Sequence, residues 1–448
     1  MKTIVYVTIT LALIAGAFTG NSFVNEALDK MAGQPQKEIF QAFHYLHRKG
    51  RDYNLNSQEA LNRYRIFKKN VQWANEQNAK LGKRIYGITQ FMDMTHEEFV
   101  ERTLMKPEAM KAAMEKMNQK SLRFLHDDHH DHPDHHDHHD HHHHHDHHNH
   151  DDDNHDLKRN DDNHNLKEGD IDHMKWDAAA KSQGGCGSCW AFAAIGAIEN
   201  QYHALTGSLT LFSEQYLVDC DNYDGGCNGG WPSNTFNWIA SNGIIKSDIL
   251  KYAGSQGSCD SSLQKYEYKI VNGFESFKEG QTQSDWDALL AKGPLVVAMF
   301  ASFEGFGMYR PETFDVIVPP SCGQVNHAVV AVGEVTENGK KNLIVRNSWG
   351  ENWGYKGYFK IPLENNCSIT EYGWLPKVYK GTVPSDNPQP KPEPTPTDCV
   401  ELLGYRGLNA PPVYTACDST PKIDQYFCYD VKFPQRLSKK QQILRLYK

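Results

Sequence analysis

Ten residues constrain this chain more than any others: Gln183-Gly184-Gly185-Cys186-Gly187-Ser188-Cys189-Trp190-Ala191-Phe192. A glycine-rich turn, free to adopt backbone conformations other residues avoid, runs straight into a strongly helical stretch from Trp190 to Leu205. The pattern therefore puts Cys189 at a helix N-terminus. There the positive end of the helix dipole and unpaired backbone N–H groups favour the thiolate, which is the nucleophilic form. The plainer alternative is a buried structural thiol next to a disulfide cysteine, Cys186.

A reactive thiolate needs a base, and the base needs a group to hold it. His327 lies in Gln324-Val325-Asn326-His327-Ala328-Val329-Val330, where polar residues give way to an apolar run that reads as the start of a buried strand. Asn347 follows in Arg346-Asn347-Ser348-Trp349-Gly350. A lone histidine at a strand head is usually a packed or surface residue. The Cys-Gly-Ser-Cys-Trp turn and these two contexts together resemble the papain-like cysteine peptidases, most closely their cathepsin L-like branch. His327 follows Cys189 by 138 residues and Asn347 by 158, against the roughly 130–150 of that family. The resemblance implies Cys189 as nucleophile, His327 as the base that later protonates the leaving amine, and Asn347 as orienter of the imidazole. It also implies Gln183 as oxyanion donor, acting with the Cys189 backbone N–H, and Trp349 as a cover that keeps the Asn–His hydrogen bond dry.

The 448 residues leave room on both sides of a catalytic unit of about 200. Lys2 and the apolar run Ile4 to Phe18, followed within it by the small residues Ala15-Gly16-Ala17, read as a signal peptide over 1–17, too short to span a bilayer comfortably. A net charge of −9 argues against nucleic acid as partner, and no later segment is apolar for long enough to cross a membrane. Ten cysteines suit an oxidising destination. Six allow many pairings; the resemblance implies Cys186–Cys227, Cys220–Cys259 and Cys322–Cys367. Cys399, Cys417 and Cys428 are left in the tail, where three cannot all pair with one another.

Residues 18–125 read as an inhibitory propeptide. Glu59, Arg63, Phe67, Asn70 and Asn78 fall near one helix face and resemble the family's ERFNIN motif, with Ala74 where Ile is usual. Gly87-Ile88-Thr89-Gln90-Phe91-Met92-Asp93 is similar to its companion motif, with Thr89 replacing Asn. The implied partner of the enzyme is thus its own propeptide, crossing the cleft in the direction opposite to substrate. From His126 to Asp156 the chain is almost wholly His and Asp, 17 and 11 respectively. Such a stretch cannot build a core and is a disordered linker, assigned to 126–170. It is open to three readings: a spacer, a pH-responsive hinge whose charge reverses as its imidazoles protonate, or a Zn²⁺/Cu²⁺-binding tract. Lys158-Arg159 offers a basic cleavage point, and the mature start falls between Arg159 and Lys175.

The peptidase unit, 171–380, is expected to be α+β with the two-lobed papain-like architecture: a helical lobe presenting Cys189, an antiparallel barrel-like sheet lobe presenting His327, and a cleft between them. The strand-like runs are Leu295 to Phe300, Ala328 to Val332, Leu343 to Val345 and Tyr358 to Ile361. By resemblance Gly229 and Gly230 pair with extended substrate, while Trp231, Pro232, Ala298, Val325 and Ala328 line the S2 pocket and Tyr372 forms its floor. Trp349 and Trp353 complete the substrate-binding set. No occluding loop is visible, which favours an endopeptidase. A stiff proline-rich linker, 381–397, leads to an extension of unassigned role, 398–448. The expected product is a zymogen of the secretory pathway, destined for a lysosome-like compartment or the exterior, with protein and peptide substrates and no cofactor. Its rivals are an inactive binding protein on the same fold and a metal-handling protein acting through the His tract.

Overall fold

The computed structural model describes residues 36–47, 51, 53–113, 115, 169–277 and 282–382. The expected signal peptide, the His/Asp tract from His126 to Asp156, the proline-rich stretch from Pro384 and the C-terminal extension with its three cysteines lie outside them. The described residues divide into two compact units: the first holds those up to Glu76 together with Gly87–Asp93, the second Gln77–Tyr86 and those from Met94 onward.

In the first unit, helix α1 (Gln36–Leu46) buries Ile39, Phe40 and Phe43, and helix α2 (Gln58–Leu81) buries Ala60, Phe67 and Ala74 at seven-residue intervals. That spacing makes one apolar stripe per helix. Phe43 and Phe67 meet at 4.9 Å between ring centroids. The polar positions of the same motif hold the 87–93 loop: Arg63 Nη1 donates to Asp93 O (3.0 Å) and Asn70 Nδ2 to Met92 O (2.9 Å). Thr89, the departure from Asn, is buried, and its hydroxyl accepts from Phe91 N, closing the turn as an Asn side chain would.

The second unit is built around helix α5 (Cys189–Thr206), apolar nearly all round and correspondingly buried, which ends at left-handed Gly207. It packs on strands β4 (His327–Glu337) and β7 (Trp374–Thr382). Helices α6 (Glu214–Cys220), capped by the Ser213 hydroxyl, and α7 (Pro232–Asn242), with proline in its first turn, complete the helical side. The remaining strands are β1 (Ile171–Asp172), β2 (Lys269–Ser276), β3 (Leu295–Met299), β5 (Lys340–Arg346) and β6 (Tyr358–Pro362); helix α8 (Gln283–Leu290) precedes β3. The antiparallel path is β2-β7-β3-β4-β5-β6, with β1 paired to β4. This corrects the barrel-like expectation: β2 and β6 do not pair, and the sheet is open because β4 and β7 bury their apolar side chains against α5. The three expected disulfides, Cys186–Cys227, Cys220–Cys259 and Cys322–Cys367, are present.

The second unit also contains residues 94–113. Helix α3 (His96–Thr103) opens with a capping box, Thr95 Oγ1 accepting from Glu98 N while Glu98 accepts from Thr95 N. Residues 104–106 are extended, and a short helix, α4, covers 107–113.

Candidate active site

Cys189 is the first residue of α5, fully buried, and the only free cysteine among the described residues. The turn before it is pinned by the Cys186–Cys227 disulfide and by Trp190 Nε1 donating to Gly226 O (3.0 Å). Gly187 is required there, since a Cβ would fall 2.6 Å from the Cys227 carbonyl oxygen. His327 opens β4 opposite Met299 of β3, and the neighbouring Ala328 N donates to the Cys189 sulfur at 3.4 Å. The sheet thus brings the strand head to the helix head.

His327 Nε2 and Asn347 Oδ1 are 2.8 Å apart. Asn347 Oδ1 also accepts from Ser348 N (2.8 Å), which establishes it as the amide oxygen. Nε2 must therefore carry the proton, and Nδ1, which has no hydrogen-bond partner, is the basic nitrogen. The Trp349 ring lies over the imidazole, 4.9 Å away and 27° from parallel. Burial pushes the Cys189 thiol up to about 12, against backbone donors including Ala328 N–H, and pushes His327 down to about 4, against its bond to Asn347. Desolvation disfavours both charged forms, so the covered site holds a neutral thiol and a neutral imidazole.

Gln183 is locked on all sides. Its backbone N donates to Ser348 O (2.8 Å), and its Oε1 accepts from Ser348 Oγ (2.6 Å). Two residues earlier, Lys181 Nζ sits between Glu199 (2.6 Å) and Glu214 (2.7 Å), tying this segment to α5 and α6. What remains of the Gln183 amide, Nε2, donates to Cys186 O (2.9 Å) and to the carbonyl of Thr103 (2.8 Å). The same stretch continues with Met105 N donating to Asn326 O and Lys106 N to Asn228 O, both 2.9 Å. Phe99 meets Trp349 edge-on at 5.3 Å. A peptide backbone therefore occupies the cleft, bonded to the chain on both sides.

Gly229 lets this backbone approach, and Gly230 lets their loop pack on the residues behind it. A Cβ on Gly229 would stand 3.1 Å from Met105 Cβ, and one on Gly230 would strike Trp190 at 2.6 Å. Their loop is held from behind by two carboxyls. Asp224 accepts from Trp231 N (2.8 Å) and Thr235 Oγ1 (2.9 Å), Asp221 accepts from Tyr223 N (2.8 Å), and the two carboxyls hydrogen-bond each other. Burial raises both well above the usual carboxylate range; the Asp224 charge adds to this at Asp221, whereas the bonds Asp224 accepts, the contact with Asp221 included, oppose it.

Trp231 is buried, its ring edge-on to Tyr372 (5.4 Å) and Trp374 (5.2 Å). Ala298 and Ala328 face each other across β3 and β4, both buried, and Pro232 is buried at the start of α7. Val325 and Tyr372 open onto a concavity of about 580 Å³, which Gln324, Glu371 and Met110 also line. Glu371 was not foreseen; an exposed acid beside an aromatic carries no local pattern. Trp353 is fully buried: it donates to Phe306 O (3.0 Å) and packs edge-on behind Trp349 (4.8 Å). The carbonyls of Asn228 and Asn326 escaped sequence reasoning because any residue type supplies one.

A sequence model of the papain family cysteine proteases matches residues 169–376, and one of the cathepsin propeptide inhibitor domain matches 43–99. Zingipain-2 of Zingiber officinale is 41% identical over 209 residues, covering 91% of that protein and 45% of this chain. The chain belongs to the papain family of cysteine proteases. Cysteine proteinase RD21A of Arabidopsis thaliana is 33% identical over 336 residues; the match takes in 73% of this chain and 63% of the relative's length. Among solved structures, a recombinant stem bromelain precursor superposes with a TM-score of 0.57 at 27% identity, over 77% of this chain and 99% of that one. The chain thus couples a papain-type unit, 169–376, to an inhibitor-type segment, 43–99.

Proposed function

We propose that the protein is a cysteine endopeptidase made as a zymogen. The observation that carries this is the Thr103 carbonyl bound to Gln183 Nε2: the donor expected to stabilise an oxyanion is already holding a peptide carbonyl. Once the pro-segment leaves, water reaches Cys189 and His327 and lowers the cost of charging them. Nδ1 then takes the thiol proton. The thiolate attacks the scissile carbonyl carbon, and the oxyanion is held by Gln183 Nε2 and the Cys189 N–H. The imidazolium returns its proton to the leaving amine, and a water hydrolyses the thioester. Asn347 acts throughout as the positioning group for His327.

Trp231, Tyr372 and Val325 support an apolar preference at P2, with Gly229 and Gly230 receiving substrate backbone. The same reading has residues 1–17 as a leader, residues up to about 125 as inhibitor, and a destination within or beyond the secretory pathway, consistent with three disulfides. Among the described residues no cluster of His, Cys, Asp and Glu suits a metal ion, so the metal-handling alternative rests on the His tract alone.

Processed wild-type protein should hydrolyse a dipeptidyl fluorogenic substrate with Leu at P2. Cys189→Ala should abolish this while melting as the wild type does, and Asn347→Ala should lower kcat by a smaller factor. Turnover by the Cys189 variant near the wild-type rate would refute the assignment.

A further inference from the structure

Strand β1 is held firmly on β4. Ile171 lies opposite Glu334 and Asp172 opposite Gly333. His173 N donates to Val332 O (2.8 Å), and the Asp170 carboxylate accepts from Thr336 N (2.9 Å). Gly333 is needed for this approach, because a Cβ there would run into the Ile171 carbonyl oxygen. Gly169, by contrast, is exposed and sits in a turn at a φ of +90°. Proteolysis favours exposed turns over hydrogen-bonded backbone, so the fold protects the chain from Asp170 onward.

Glu334 is out of place among the apolar residues of β4, being only 2% exposed. Its Oε1 accepts from Lys341 Nζ of β5 (2.5 Å), and the same ammonium meets Asp287 of α8 (3.1 Å). Its Oε2 is buried with no hydrogen-bond partner. Burial raises the Glu334 carboxyl; the Lys341 bond opposes this, while the charges of Asp287 and Asp170 add to it. His173, just beyond β1, spends Nε2 on the Leu290 carbonyl (2.7 Å). The cluster therefore sets three carboxylates against the one ammonium of Lys341, and it leaves a buried acceptor without a donor, which is costly. It is short of a cation.

We propose that Glu334 is the receptor for the α-ammonium group of the processed chain, which begins at Asp170. Hydrolysis of the Gly169–Asp170 bond breaks its C–N link. The hydroxyl of the water goes to the Gly169 carbonyl carbon and its hydrogen to the Asp170 nitrogen; the proton of the new carboxyl group then completes the ammonium. A neutral amide is thereby replaced by a cation one residue before Ile171, which is paired opposite Glu334. That cation supplies the donor that Oε2 lacks and offsets the excess of carboxylate. Cutting the chain thus fastens its new end to β4, the strand whose first residue is His327. The inference rests on the chain being processed as a peptidase zymogen.

The test starts from the full-length precursor, processed to its mature form, and titrates the α-amine by competitive acetylation at graded pH with mapping of the N-terminal peptide. Sequencing should find Asp170 first. The α-amine should titrate about one unit above its ordinary range of about 7.7–8.0, so that acetylation at pH 7 is roughly tenfold slower than in the same chain unfolded in urea. Glu334→Gln should return the titration to the ordinary range, and Asp287→Asn should lower it by a smaller step, about 0.3 unit. A first residue other than Asp170, or equal titrations for wild type and Glu334→Gln, would overturn the inference. Should Glu334→Gln fail to fold, the wild type decides alone: identical titration of its folded and unfolded chains overturns it. Peptidase activity of the same processed wild type is a separate readout, and failure to hydrolyse the dipeptidyl substrate would overturn the proposed function instead.

Discussion

Two buried carboxylate sites respond to acid in opposite directions. In the first unit, Asp93 accepts two bonds from the Arg51 guanidinium, both 2.6 Å, and one from Tyr53 OH at 2.7 Å. Burial alone would raise it, but Arg51 and Tyr53 outweigh burial and hold it below the usual range. In the second unit, Asp221 and Asp224 have each other instead of a cation, and both are raised. Burial is common to both sites and raises all three acids; at Asp93 the cation and the phenol outweigh it, and at the pair nothing does. For Asp93 the folded value lies below the unfolded one. Its stabilisation is in place above the ordinary carboxylate range and is lost as pH falls through the folded value. For the pair the folded values lie above the unfolded ones. Its stability is complete at acid pH and declines as pH rises toward neutrality and beyond. Acid therefore loosens the inhibitor-type unit and firms the loop beside the cleft.

The largest expected effect comes from removing the Asp93 charge. Asp93→Asn leaves Arg51, whose side chain is 9% exposed, without its counter-charge, and should destabilise the first unit by about 3–5 kcal/mol at neutral pH. Denaturant unfolding of the Cys189→Ala precursor reads this directly; equal stability of the two proteins would remove one side of the contrast. Asp221→Asn keeps the hydrogen bonds and removes one acid. It should stabilise the second unit by about 1–3 kcal/mol at neutral pH and by nothing measurable near the ordinary carboxylate pKa. Melting curves at both pH values check it, and a gain that does not depend on pH would mean the pair is not the cause. Arg51→Lys retains the charge but loses the two-pronged geometry, for a cost of about 1 kcal/mol in the first unit. No change there would assign Asp93's depression to charge alone.

Much of the site was legible because its chemistry is written in contiguous residues. A glycine turn followed by a helix former puts Cys189 at a helix head wherever that helix packs. The polar-to-apolar switch at His327 starts a strand for local reasons, and the N-S-W-G context carries Asn347 and the covering tryptophan together. Glu59, Arg63, Phe67 and Asn70 were readable as one helix face. What each of them touches was not: Phe67 could have met any ring, and Arg63 and Asn70 find backbone carbonyls, which have no sequence signature.

Sequence by itself determined the reactive groups, the helix and strand that present them, and the cysteines available for pairing. Tertiary structure alone decided which residues faced each other. The sheet stays open because β2 and β6, far apart in the chain, do not pair while α5 takes up the apolar side chains of β4 and β7. Trp353 is a core residue because Phe306 and Trp349 surround it. Asn234 reaches a carbonyl 121 residues away, and Asp221 is raised by burial, with the neighbouring Asp224 carboxyl adding to it. Local pattern specifies conformation through backbone sterics and the periodicity of apolar residues. Burial and the identity of a neighbour depend on contacts between distant segments, and those set both the charge of an acid and the exposure of a ring.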